Sequence, residues 1–393
     1  MIRTSDELRR YALTNVSKPI AVHEFHTGFS ELLRRAPEGL IRGHAFFSLP
    51  AAGATWLDTG IDLRVGEAVT LFGTARPDSS STAHAPTIED SRVFQRVATE
   101  AAEALRGVWY RVGADGRARR GARSSHTFVA RSPGRLFLAA AAVPAPSTSS
   151  GTGRERPVFE LPGVDRFALM VHWGGDPREG VQTLRAGGEV GGLLECELAR
   201  QQAAIDLPEG WRYAPEGAEG EQFAADGRGS DGPIIGCYSH SSGVLLQKDA
   251  KLALVPGTTL RWAWKVDQLP SRVREDQLRT HNYLSIAVEF DNGRDITYYW
   301  SAELPVETAY GCPVPGWEDR ETHVVVRSGP DGLAEWFGEE RDLYADYLRY
   351  MGDPPGGIVR VWLIASTFRG GTDGQCDYGR VELTNGSMRV RVN

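Results

Sequence analysis

Short runs in which apolar and polar residues alternate recur along this chain from residue 40 onward. The first series reads "GLIRGHAFFSL", "ATWLDTGIDL", "EAVTLFGTAR", "GVWYRVG", "SHTFVAR", "GRLFLAAAAV" and "RFALMVHWGG". A second series reads "GVLLQKDAKLAL", "TTLRWAWKV", "NYLSIAVEF", "ITYYWSA", "HVVVRSG", "GIVRVWLIAST" and "GRVELTN". A period of two is the mark of strands that turn one face to a core. The 45 glycines and 22 prolines supply turns between them. The pattern predicts an all-β protein of two β-sandwich, jelly-roll-like domains with a few short helices.

Helical spacing interrupts the alternation in a few places. Residues 4–14 predict a short helix capped by Thr4 or Ser5, with Glu7 in its first turn. Val93, Val97, Ala101, Ala104 and Leu105 predict an inserted helix over about 91–106. "LLECELARQQAA" predicts another. "EERDLYADYLRYMG" predicts a last one, closed by Gly352 as its C′ residue with Pro354 and Pro355 beyond. The Gly-rich, polar stretch 174–190 reads as a boundary. The expected division is a sandwich over 1–175 with its N-terminal and inserted helices, a linker and short helix over 176–205, and a second sandwich over 206–393.

Composition narrows the classes. A chain of 393 residues exceeds one ordinary core, so two domains are expected. Hydrophobic content of 41% with 24% charged residues is that of a globular protein. A formal net charge of −7 argues against nucleic acid as the main partner. The basic run "RVGADGRARRGARSS" is glycine-rich and reads as a solvated hairpin or loop. The longest apolar run, near 136–146, falls short of a membrane span. The first residues carry no apolar signal core, so the expected setting is cytoplasmic, away from membranes. Cys196, Cys237, Cys312 and Cys376 lie far apart, with no CxxC pair and no nearby histidine at ligand spacing. Free thiols, no metal and no cofactor are expected. No nucleophile elbow, P-loop or zincin motif is present.

Candidate chemistry follows from the faces of individual strands. In "HNYLSIAVEF", Leu284, Ile286, Val288 and Phe290 share one face, whereas His281, Tyr283, Ser285, Ala287 and Glu289 share the other. Arg261, Ala263 and Lys265 oppose Trp262, Trp264 and Val266. His323, Val325 and Arg327 oppose Thr322, Val324 and Val326. If these strands are neighbours, one sheet face gathers His281, Tyr283, Glu289, Lys265, His323 and Arg327. Two readings stand: a ligand-holding or catalytic wall, or a solvated face with cross-strand ion pairs. "DITYYWS" gives Tyr298 and Trp300 to one face and Tyr299 to the other; such rings suit a sugar or apolar ligand as well as a core. Glu340 falls between Tyr344, Tyr347 and Met351 on a helical wheel, which makes it a buried acid, or an exposed first-turn residue if the helix starts later. Glu289 and Asp291 stand two apart, as paired acids of sandwich glycosidases do, although "DNG" gives Asp291 a turn role.

Two resemblances carry over onto these residues. "WLDTGIDLRVGEAVTLFGT", "WYRVG", "HTFVARSPGRLFLAA" and "FALMVHW", over about 40–175, resemble the small β-sandwich of the galactophilic bacterial lectins. That likeness implies the fold. The Asp/Asn/Thr-rich loop with which those lectins hold calcium and sugar has no counterpart between 138 and 180. The segments "LRWAWKVDQLP", "DITYYWSAELP", "GCPVPGWEDR" and "CDYGRVEL", within 206–385, resemble an uncharacterised bacterial family known as a domain of unknown function. The resemblance implies a fold unit and no activity, and His281-Asn282 replaces the paired aspartates expected ahead of "SIAVEF".

These readings converge on two functional alternatives. One is binding of a small molecule or glycoconjugate in an aromatic-lined groove, with Tyr283, Tyr298, Tyr299, Trp300, Lys265 and Arg327 as ligand contacts. The other is a cofactor-independent cytoplasmic enzyme, a cyclase, lyase or hydrolase, with Glu289, His281, His323 and Glu340 as acid–base groups. An interaction scaffold whose aromatic residues are all core is the third possibility.

Overall fold

The structure, a computed structural model, describes residues 2–15, 17–18, 20–49, 56–76, 108–121, 123–140, 165–203, 205–214, 222–226, 232–240, 243–277, 283–313, 317–367 and 373–393. The helix expected over 91–106 lies outside them. The fold is predominantly β, and the chain divides into two compact units, Thr14–Ala203 and Met1–Leu13 with Ala204–Asn393. The helix α1 (Ser5–Thr14) thus begins in the unit built mainly from the C-terminal half. Thr4 caps it as its side chain predicts: Glu7 N donates to Thr4 Oγ1 at 3.2 Å, and Thr4 N to Glu7 Oε2 at 3.3 Å. Leu8 and Ala12 then pack with Ala224 and Tyr238.

The N-terminal unit contains α2 (Val22–Arg35) and strands β1 (Ile41–Leu49), β2 (Leu57–Leu63), β3 (Ala68–Arg76) and β4 (Trp109–Val112). It continues with β5 (Arg119–Arg120), β6 (Ser125–Val129), β7 (Gly134–Ala139), β8 (Asp165–Trp173), α3 (Pro177–Gly187) and α4 (Leu193–Gln202). Two four-stranded sheets form, in the orders β1-β8-β3-β6 and β2-β7-β4-β5. Alternation in β3 and β8 decides the layers. Val69, Leu71, Ala168 and Met170 face Tyr110, Leu136 and Leu138 of the other sheet. Ala68, Phe72, Leu169, Val171 and Trp173 face Phe25, Phe29, Val181, Leu184 and Leu194 of the helices. The stretch 177–202, expected as linker with one short helix, therefore supplies part of a helical layer over a sheet.

The C-terminal unit adds β9 (Arg212–Tyr213), β10 (Phe223–Asp226), β11 (Ile234–Ser239), β12 (Gly243–Ala253), β13 (Thr259–Gln268), β14 (Leu284–Phe290) and β15 (Asp295–Ser301). There follow β16 (Ala309–Gly311), β17 (Glu321–Ser328), β18 (Trp336–Asp342), α5 (Leu343–Tyr350), β19 (Gly357–Ser366), β20 (Gly374–Thr384) and β21 (Arg389–Arg391). A six-stranded sheet, β10-β11-β20-β13-β18 with β21 on β20, faces a seven-stranded one, β16-β17-β15-β14-β19-β12-β9. Between them Trp262, Trp264, Val266, Leu284, Ile286, Val288, Tyr298 and Trp300 form one core. Trp262 stacks on Tyr298 at 5.6 Å across the two sheets. Asp342 caps α5 by accepting from Ala345 N at 2.9 Å. Gly352, at φ +93°, takes the left-handed C′ position that its sequence predicts.

One pairing sets up the site. β15 and β17 run parallel, whereas their other neighbours in this sheet are antiparallel. A parallel neighbour needs a long return, and residues 302–320 supply it.

Candidate functional site

With one face of the seven-stranded sheet in the core, its other face carries the polar residues, and register sorts them into rows. The first row crosses four strands: Arg360 pairs Glu289, Glu289 pairs Asp295, and Asp295 pairs Glu321. Cys312 extends it, because its N–H donates to Glu321 O at 2.9 Å. The second row is Gln247, Trp362, Ala287, Thr297, His323 and Tyr310. Ser285 and Tyr299 stand in the third. Three acids thus lie abreast on adjacent strands, with aromatic rings one row away. All of them are buried, Glu289 at 7%, Asp295 at 5% and Glu321 at 2% exposure.

Each acid has a different set of partners. Glu289 Oε2 accepts from Trp362 Nε1 at 3.1 Å, and Arg360 Nε stands 2.9 Å from it as an ion pair without an aligned hydrogen bond. Thr297 Oγ1 bridges Asp295 Oδ1 at 3.2 Å and Glu321 Oε1 at 3.0 Å. Tyr283 OH donates to Glu321 Oε1 at 2.9 Å. His323 Nε2 is 3.4 Å from the same oxygen. Burial, with Glu321 and Glu289 alongside, pushes the Asp295 carboxyl well above its ordinary value. Burial beside Glu321 likewise raises the Tyr283 phenol.

Rings enclose the imidazole. Tyr310 stacks on His323 at 5.0 Å, and Tyr283 and Tyr299 meet it edge-on at 5.0 and 5.8 Å. Tyr299 and Tyr310 share a hydrogen bond of 2.8 Å between their hydroxyls. The wall thus sets carboxylate acceptors beside packed aromatic rings.

Of the residues expected to share a wall, Tyr283, Glu289 and His323 do so, and Tyr299, expected as a ligand contact, stands with them. His281 lies outside the described residues. Lys265 is not on this sheet: it sits on β13 of the other one and reaches Asp377 at 3.0 Å and Asp267 at 3.3 Å. A strand's alternation reports its faces and not its neighbours, so the assumed adjacency fails for Lys265. Arg327 is turned off the polar face by an irregularity in the β15–β17 register after Val325. It stacks on Phe337 at 3.4 Å and pairs with Glu339. Tyr298 and Trp300 belong to the core, where Tyr298 OH donates to Asp346 Oδ2 at 2.8 Å and Trp300 Nε1 to Gly329 O at 2.9 Å. Glu340 is on strand β18 and not on the helix; it is exposed and pairs with Arg261, its cross-strand partner, at 2.9 Å. Asp291 lies in the turn between β14 and β15, where Gly293 takes φ +76°.

Asp295, Thr297, Tyr310, Cys312, Glu321 and Trp362 complete the wall, and none of them was a site candidate in the sequence, where Cys312 was expected only as a free thiol. For Asp295 and Thr297 the alternation of "DITYYWS" was a sufficient signal, since both share a face with Tyr299. Glu321 required the parallel pairing, which no local pattern encodes.

Residues 215–382 match a family profile described as "Protein of unknown function (DUF3047)". No curated protein matches the chain. Among solved structures, the xyloglucanase domain of NopAA, a type three effector from Sinorhizobium fredii, in complex with cellobiose, aligns at 9% identity. That alignment covers 46% of this chain and 95% of that one, with a TM-score of 0.28, a level of likeness that supports no conclusion about this protein. No helix among the described residues is long and apolar enough to cross a membrane.

Proposed function

We propose that the C-terminal sandwich binds a small polyhydroxylated molecule, a sugar or the sugar of a glycoconjugate, on the polar face of its seven-stranded sheet. The observation that supports this most is the row Glu289–Asp295–Glu321 beside Tyr299, Tyr310 and Trp362. Carboxylates accept from vicinal hydroxyls, and aromatic faces cover the C–H face of a sugar ring. Tyr283 and Tyr299 are the ligand contacts retained from the sequence reading, Glu289 joins them from its acid–base set, and a cytoplasmic setting is kept with them. A thermal-shift and calorimetric panel of mono- and oligosaccharides on the whole chain tests the reading. A saccharide bound at least tenfold more weakly by Glu289→Gln is the expected result. A panel without binders, or binding that Glu289→Gln and Trp362→Phe leave untouched, would refute it.

A second reading is favoured by the close order of the acids. Acids on neighbouring strands are the minimum equipment for acid–base chemistry on a glycosidic or similar bond. On this reading Glu289 and His323 remain the acid–base candidates. Turnover of a bound saccharide, lost in Glu289→Gln with binding retained, would select it over simple binding.

A further inference from the structure

Cys312, Glu321 and His323 bring a thiol, a carboxylate and an imidazole to one point on the polar face of the seven-stranded sheet. All three are buried, and one ligand atom from each lies within 4.8 Å of the other two. We infer that they form a binding site for one divalent metal ion of the zinc class, independent of any saccharide.

The backbone fixes the arrangement. Glu321 and His323 are two apart on β17, so they project to the same face. Cys312 is held opposite Glu321 by its N–H···O bond of 2.9 Å. The spacing suits a metal better than a direct contact. His323 Nε2 and Glu321 Oε1 are 3.4 Å apart, long for a hydrogen bond. It is close to the edge of a tetrahedron with bonds of about 2.1 Å. The wider separations, all within 4.8 Å, need at most about 1.2 Å of closure to reach ordinary zinc–sulfur geometry.

The surroundings supply what such a ligand set needs. Tyr283 OH and Thr297 Oγ1 hydrogen-bond to Glu321 and orient its carboxylate, and Tyr310 stacks on the imidazole. Asp295, Glu321's neighbour across the parallel pair, adds a further acid beside the point where a cation would sit. The mixed sulfur, nitrogen and oxygen donors select zinc, cobalt or iron over calcium or magnesium, which take oxygen ligands. Three protein ligands leave a fourth position for water or a ligand atom.

Cobalt(II) titration of the chelator-treated whole chain tests this. The expected result is one equivalent bound, with a thiolate-to-cobalt charge-transfer band, visible absorption of tetrahedral intensity, and displacement by zinc. Cys312→Ser is expected to abolish the charge-transfer band, and His323→Ala to weaken binding at least tenfold, in variants whose circular dichroism matches the wild type. Cobalt-saturated wild-type protein without a thiolate band would overturn the inference, and that reading needs no variant. So would binding that neither substitution changes, which would place the metal elsewhere. Metal binding is read without any sugar, so failure of the saccharide panel leaves this result standing on its own.

Discussion

Glu197 of the N-terminal unit and the acid row of the C-terminal unit are both buried, and they are held differently. In the N-terminal unit Glu197 is wholly buried and closely matched: Arg200 Nε donates at 2.9 Å, Gln201 Nε2 at 2.8 Å, and Thr127 Oγ1 donates as well. Trp173 Nε1 donates to Thr70 Oγ1 at 2.7 Å, and Thr70 in turn meets Thr127 at 2.6 Å. Burial alone would raise the Glu197 carboxyl, yet Arg200 and the hydrogen bonds hold it below its ordinary value. In the C-terminal unit three acids stand abreast, and the middle one, Asp295, is pushed up by burial and by its two acidic neighbours. A buried acid matched to its own cation acts as a structural plug; a row in which Glu289 pairs with Arg360 and the middle acid is flanked by two others is the arrangement on which the proposed ligand site rests.

Breaking the plug should have the largest effect. Glu197→Ala strands Arg200 and the threonines, and is expected to lower the stability of the N-terminal unit by about 3–5 kcal/mol, read by chemical denaturation. Saccharide binding should not change. A loss below 1 kcal/mol would show that Glu197 is not the keystone described.

The same unit offers a pH test. His126 is fully buried beside Tyr110, with Nε2 3.0 Å from the hydroxyl, and burial, reinforced by Arg200, lowers its value to about 3. The unfolded chain takes up that proton near 6.5, so between 6.5 and 3 the unfolded state binds more protons than the folded one. Stability should therefore fall as pH drops through this window, by up to about 1.4 kcal/mol per unit, and be flat in this term above it. His126→Phe should flatten the profile; an unchanged slope would assign it to other groups.

In the C-terminal wall, replacing the middle acid should end the crowding of three acids rather than break an ion pair, because burial and its acidic neighbours already disfavour the charged form of Asp295. Asp295→Asn keeps the shape and is expected to leave stability unchanged or raise it by about 1 kcal/mol. A loss of the size expected for Glu197→Ala would erase the distinction between the two centres. Glu340→Gln should have the smallest effect, within about 0.5 kcal/mol and without change in ligand binding, because its ion pair with Arg261 is exposed. A larger effect would return Glu340 to consideration as a site residue.

Much of this fold was legible in the chain. Leu284, Ile286, Val288 and Phe290 turn inward and Tyr283 and Glu289 outward, as their alternation predicts. Helix α2 was equally legible but missed: Phe25, Phe29, Leu32 and Leu33 follow helical spacing and are buried. Glu340 illustrates the limit of periodicity at a boundary, since β18 runs directly into α5 and the helix expected from Glu339 begins four residues later, at Leu343. What joined Glu289 to Glu321 was unreadable. It depends on a parallel strand brought back by a long return, and the register of that contact is set by packing of the whole sheet. Lys265 and Arg327 show the same dependence from the other side, one assigned to the wrong sheet and one displaced by a local register shift.

The most direct measurement is calorimetric titration of the whole chain with the best saccharide of the panel, wild type and Glu289→Gln side by side. Saturable one-site binding weakened at least tenfold by this single change of a carboxylate to a carboxamide is expected. Equal affinity in both proteins, with both folded, would contradict the assignment of the ligand site to this sheet face.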